Sequence, residues 1–250
     1  MTLNENECRE LARRVHILTL QSTAMSTALR EVERMLDSNI PIFPEEPTYP
    51  PPNLERITSV VSNGDFSSSN WTDITMPGGQ SRGQQPDGWG LEWLIPGQTI
   101  PGTATTITVE PECVHKLSNQ LPPNEQKGGV DALILEGDAV YKVFSAAGIF
   151  YAELSQTILV SPGHGEISAS VQVHKSSPDP WSAEAGLWAN DVGSWYNGAS
   201  DQQLKDHEWL KMSALYNKPA GGTVEIKIRV KSKWELPVDF FIDAVKIEIF

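Results

Sequence analysis

Thr223-Val-Glu-Ile-Lys-Ile-Arg-Val-Lys231 alternates without a slip. Val224, Ile226, Ile228 and Val230 point one way; Glu225, Lys227, Arg229 and Lys231 point the other. Successive side chains of a strand face opposite sides of its sheet, so this is a strand with one face in a core and one in water. Gly221-Gly222 supplies the turn before it. The end of the chain repeats the pattern, with Val245, Ile247 and Ile249 set against Lys246 and Glu248. Working backwards, shorter runs bounded by turn residues predict strands over 54–61, 104–109, 132–135, 139–144, 151–160, 166–174, 184–188 and 209–216. No strand–helix alternation signals a parallel sheet. Residues 53–250 are therefore expected to be mainly β, an antiparallel two-sheet sandwich or jelly roll.

The first forty residues have a different texture. Cys8, Val15, Ser22, Leu29 and Leu36 share one heptad position, and Leu11, Leu18, Met25 and Val32 share another. Alternating steps of three and four over this length are the a/d pattern of a coiled coil. Asn4 and Glu7 form a capping box at its start, and Pro41 bars continuation at its end. Residues 1–40 are expected to be an oligomerisation helix, with Leu11, Val15, Leu18, Ser22, Met25, Leu29, Val32 and Leu36 in the seam. Leucine at a with valine at d disfavours a dimer, so a homotrimer is expected. A helix packed on its own C-terminal domain is the alternative. Between helix and β region, Pro41, Pro44, Pro47 and Pro50 recur every third residue. That is the repeat of polyproline II, so 41–52 reads as a stiff neck of roughly 37 Å.

Composition narrows the partners. The net charge is −13 and no basic cluster appears, which argues against nucleic acid or an anionic membrane surface. The two cysteines, Cys8 and Cys113, fall in different regions, so no intrachain disulfide is expected. Met-Thr-Leu-Asn-Glu has neither a basic nor an apolar leader character, and no run is long enough to span a membrane.

Three short segments carry a family resemblance. Ser62-Asn63-Gly64-Asp65-Phe66, followed by Trp71, resembles the opening of carbohydrate-binding modules of the family 4/9 type, which are galactose-binding-like jelly rolls. Ser155 to Gly163 resembles their central strand and turn, and Phe241-Ile242-Asp243-Ala244-Val245 their closing strand. The resemblance leaves 1–52 uncovered. It implies a structural calcium ion near the first and last strands, with Asp65 and Asp243 as oxygen ligands. Ser67 stands where the family has an acidic residue, and a turn Asp with a strand-end Asp is the other reading of this pair.

Sugar binding in such modules rests on aromatic rings stacked on pyranose faces. The chain has eight tryptophans. Asp87-Gly88-Trp89-Gly90 and Gly193-Ser194-Trp195-Tyr196-Asn197 read as loops carrying an exposed ring. Trp89, Trp181, Trp195 and Tyr196 are the expected ligand contacts, while Trp71, Trp93 and Trp188 are expected to fill the core. Packing of loop rings on a neighbouring subunit is the competing reading.

Catalytic signatures are missing from the sequence: no G-x-S-x-G, P-loop, H-E-x-x-H or C-x-x-C is present. Cys113 and His115, near Glu110 and Glu112, read as a polar loop. The expectation is a non-enzyme. An oligomerising stalk, a proline neck and a β head suggest a bacteriophage virion appendage, a head fibre, decoration or tail-fibre-type protein assembled in the host cytoplasm. Its stalk would contact other virion proteins and its heads host surface polysaccharide. A cement protein without glycan binding and a polysaccharide-depolymerising spike are the alternatives.

Overall fold

The computed structural model describes residues 60–75 and 82–250. The heptad helix, its seam residues and the proline neck lie outside the described residues, as does most of the strand predicted over 54–61. Twelve strands are described: β1 (Trp71–Thr75), β2 (Arg82–Pro86), β3 (Gly90–Trp93), β4 (Glu112–Leu117), β5 (Ala139–Ser145), β6 (Phe150–Val160), β7 (Gly163–Lys175), β8 (Ala183–Ala189), β9 (Val192–Tyr196), β10 (Leu210–Lys218), β11 (Gly222–Ser232) and β12 (Val238–Ile249). They form a seven-stranded sheet in the order β1-β2-β4-β5-β12-β7-β10 and a five-stranded sheet in the order β3-β6-β11-β8-β9. Every pairing is antiparallel except β2 with β4, which meet in parallel at Gly83 and Cys113. The two sheets enclose one main core, so the mainly β sandwich read from the sequence is the fold of the described residues.

The alternation of β11 does what its sequence asks. Val224, Ile226, Ile228 and Val230 are fully buried, and they join Ile167, Ala169, Val171 and Val173 of β7 with Phe240 and Ile242 of β12. Burying one such Val, Ile or Phe side chain contributes roughly 1.5–3 kcal/mol. One end of the core is aromatic. Phe66 sits 5.7 Å from Trp89 and 5.5 Å from Tyr141, ring centre to ring centre. Tyr141 Oη donates to the Gln84 carbonyl at 2.9 Å, which satisfies a hydroxyl that would otherwise be costly to bury.

Two predicted strands turn out differently. At 104–109 only a single bridge forms, Thr99 with Thr106. This segment closes back on itself through Ile107 N to Gln98 O at 2.8 Å and Ile100 N to Thr105 O at 2.9 Å. It buries Ile100 and Ile107 against Tyr151, on the outer face of the five-stranded sheet. Residues 132–135 lie over the outer face of the other sheet. Leu133 and Ile134 pack there on Val140 and Phe241. Their anchor is a carboxylate in place of a partner strand: Asp243 Oδ2 accepts from Leu135 N at 2.7 Å and Glu136 N at 3.1 Å. A bulge between Asp243 and Lys246, with Ala244 at φ 54°, sets up this arrangement.

Cys113 and His115, expected in a polar loop, belong to strand β4. Cys113 is buried beside Tyr141, and burial pushes its thiol well above the usual range. His115 stacks on Trp71 at 3.7 Å.

His174, on the outer face of β7, is held below the ordinary imidazole range, by burial first and then by neighbouring His207. Asp239 and Asp206 oppose the shift, and Lys142 adds to it. As pH falls below about 6.5 the unfolded chain takes up this proton before the folded one, so the His174 contribution to the unfolding free energy should drop in that window, while Asp243, pushed up to about 6 by burial, works the other way. Urea titrations at pH 7.5 and 5.5 check this. His174→Gln should show a smaller loss on acidification than the parent chain; an equal loss would assign the effect elsewhere.

Candidate functional site

The outer face of the five-stranded sheet carries the side chains that the core does not use. Register lines them up in rows. Tyr151, Lys231 and Glu184 form one row across β6, β11 and β8. Glu92, Glu153, Arg229, Gly186 and Trp195 form the next, and Ser155, Lys227, Trp188 and Gly193 the one after. The Ile100–Ile107 segment walls the first row.

Glycines shape the floor. A side chain at Gly186 would collide with the six-membered ring of Trp188, and one at Gly193 with its five-membered ring. The indole therefore lies against the sheet where two neighbouring strands present no Cβ. Trp195 meets it edge-on at 5.0 Å and 74°. The Arg229 guanidinium lies 4.4 Å from the Trp188 ring centre, and the Lys231 ammonium 3.7 Å from that of Trp195. Such cation–aromatic contacts hold long side chains in place when partly desolvated.

Carboxylates pair with these cations. Arg229 Nε donates to Glu153 Oε2 at 2.6 Å, and the same oxygen accepts from Tyr151 Oη at 3.1 Å. Burial and then the Glu153 charge push the Tyr151 phenol well up, so it stays a donor. Glu184 accepts from Lys231 at 2.6 Å and from Lys233 at 2.8 Å. Lys233 also approaches the Trp181 ring at 5.7 Å. A continuous strip results, from Trp181 through Glu184, Lys231 and Trp195 to Trp188, Arg229 and Glu153. It presents indole rings, forked donors and carboxylate acceptors side by side. Gly186→Ala should push the Trp188 indole off the floor: a shift in tryptophan emission is expected with the fold retained, and unchanged emission would contradict the cradle.

The structure divides the four ring positions predicted from sequence. Trp181, 51% exposed, and Trp195 both belong to the strip. Trp89 does not: it is 2% exposed, packs on Phe66 and donates its Nε1 to the Asn63 carbonyl at 3.2 Å. Its flanking glycines serve a turn that carries the ring inward. Tyr196 is also corrected. It pairs with Ala185 on the inward side, leans on the core and is hydrogen-bonded to Ser213 O at 3.2 Å. Trp188, assigned to the core from sequence, lies on the outer face. Arg229, Glu153, Lys231 and Glu184 were missed; their signal was present in the outward half of the alternation in β6, β8 and β11.

Asp65 and Asp243 flank the Glu136–Asp138 turn. Asp243 spends Oδ2 on two backbone N–H groups and Oδ1 on that of Ala244 at 2.6 Å. Asp65 Oδ1 accepts from Ser67 N at 3.2 Å. Among the described residues no three His, Cys, Asp or Glu side chains converge on a metal position. Three of these four carboxylate oxygens already accept from backbone N–H groups.

No protein-family model and no curated protein matches the chain. Solved structures similar to it are mainly carbohydrate-binding modules with a β-sandwich fold. One is a family 61 carbohydrate-binding module in complex with β-1,4-galactotriose, 13% identical over 77% of this chain and 99% of that one, TM-score 0.47. A family 4 module is 12% identical over 75% and 98%, TM-score 0.31. The enzymatically active domain of tailspike protein 4 of bacteriophage CBA120 is 15% identical over 77% of this chain, which spans 21% of that structure, TM-score 0.39.

Proposed function

We propose that this chain is a glycan-binding protein whose ligand lies on the outer face of the five-stranded sheet. The observation that carries the reading is the Trp188 indole held on a floor of Gly186 and Gly193, with the Arg229 guanidinium over its ring and Trp195 edge-on beside it. Flat indoles suit the apolar faces of sugar rings, and they lose little entropy on binding. The Arg229–Glu153 pair offers donors and an acceptor to neighbouring hydroxyls, with its geometry already fixed. The heptad pattern of residues 8–36 and the proline repeat that follows support a trimeric virion appendage that displays three such heads. Three weak sites on one stalk gain avidity without tight individual affinity.

Two measurements test the two parts. A glycan array, followed by affinity electrophoresis on the polysaccharides that score, should show retention. Retention on purified capsids with none on any glycan would overturn the ligand and favour a cement role. Solution mass with and without residues 1–40 should fall from trimer to monomer; a monomeric full-length chain would overturn the appendage. Loss of polymer length on incubation would point instead to a depolymerase.

A further inference from the structure

We propose that a depression on the outer face of the seven-stranded sheet is a second binding site, for a single neutral sugar residue, with Gln172 and His174 as its hydrogen-bonding wall. It lies on the opposite sheet from the Trp188 strip and does not rest on that reading. The depression encloses about 220 Å³ and is lined by Gln172, His174, His207, Trp209, Leu135 and Asp131, among others.

Two polar atoms in its wall have open valences. Gln172 is only 5% exposed, and its Nε2 donates to the His207 carbonyl at 2.9 Å. That bond fixes the amide and leaves Oε1 with no partner. Two residues along β7 on the same face, roughly 7 Å away, buried His174 Nε2 has none either. Buried groups of this kind are satisfied in nearly all folded chains, and an unmet one recovers free energy when a donor arrives.

The His207 ring stacks on His174 at 3.8 Å and 17°, yet the His207 side chain is more than half exposed. Its backbone is held at φ 60°, in the left-handed region, by His207 N to Val173 O at 2.8 Å. Swinging this ring aside would open the His174 side of the depression without disturbing a strand.

The wall chemistry selects the occupant. Oε1 needs a donor, which excludes a carboxylate there. The carboxylates that would hold a cation are engaged: Asp131 accepts from Asn124 at 2.9 Å, and Asp206 Oδ1 from Lys175 N at 2.9 Å. Burial keeps the His174 ring neutral at neutral pH. Leu135 and the Trp209 indole supply the apolar remainder, with Trp209 Nε1 already donating to Ala132 O at 2.9 Å. Hydroxyls act as donor and acceptor alike, and the volume equals about seven waters at ~30 Å³ each. The depression is of a size to take one sugar ring.

Saturation-transfer NMR on the full chain carrying Trp188→Ala tests this, with glucose, galactose, N-acetylglucosamine and rhamnose offered singly at millimolar concentration. At least one should receive saturation. Adding Gln172→Leu should weaken that sugar's binding roughly three- to tenfold, and adding His207→Ala should strengthen it. No transfer to any sugar, the result for a depression holding only water, overturns the site. So does transfer that neither substitution changes. If the Gln172→Leu chain does not melt cooperatively, the exposed His207→Ala decides alone: stronger transfer supports the site, and equal or weaker transfer rejects it. Failure of the Trp188 strip would be read separately, from polysaccharide retention by the parent chain.

Discussion

Trp188→Ala is expected to weaken retention on the bound polysaccharide by about 30-fold or more, with little change in melting temperature. The binding loss follows from position. Trp188 lies at the centre of the strip, between Arg229 and Trp195, and central aromatic anchors typically carry about 2 kcal/mol or more of a binding energy. That is roughly 30-fold in Kd. The substitution also frees the Arg229 guanidinium from its ring contact, so the donor fork loses its fixed direction. Stability should hold because the indole packs on the outer face, and none of the inward residues of β8, Ala183, Ala185, Leu187 and Ala189, touches solvent through its loss. Affinity electrophoresis with a thermal melt reads both quantities. A folded Trp188→Ala chain retained as firmly as the parent would remove the strip as the site.

Glu184→Ala should do the reverse, cutting stability more than recognition. Lys231 and Glu184 are 5% and 7% exposed as side chains, 2.6 Å apart in adjacent strands. Deleting the acid leaves the Lys231 ammonium buried without a counter-charge, a change that costs about 3–5 kcal/mol. Lys233 also loses its carboxylate, but it reaches water and contributes little to the loss. For a domain of this size the melting temperature should fall by roughly 6–20 °C. Replacing both partners, Glu184→Leu with Lys231→Met, removes the stranded charge and should restore most of that loss. If the double variant melts no higher than Glu184→Ala, the ion pair is not the cause.

The core was legible in the sequence because strand alternation is a local code. β5, β6, β7, β8, β10, β11 and β12 all fall on predicted runs, since burial on one face imposes a period of two. β1 to β4 and β9 went unseen. They are short and polar; Arg82–Pro86 has no apolar alternation to read, and Glu112–Leu117 breaks it with adjacent Cys113 and Val114. Their strand identity comes from partners distant in the chain. The candidate site was half legible for a related reason. Tryptophan signals a large ring, but the side of the sheet it faces is set by register. Trp89 and Trp188 were therefore exchanged between surface and core; Trp181 is exposed as expected, and Trp195, expected in a loop, lies on strand β9. The Asp243 anchor depends on a bulge that no residue pattern announces.

Along β11 neighbouring side chains face opposite ways. Positions 224, 226, 228 and 230 weld the sandwich shut, and 225, 227, 229 and 231 look away from it. Ligand preference can thus drift by substitution at 153, 188, 227 and 229 while the scaffold stays as it is. A selection library confined to those four codons would vary the outer face on an intact fold.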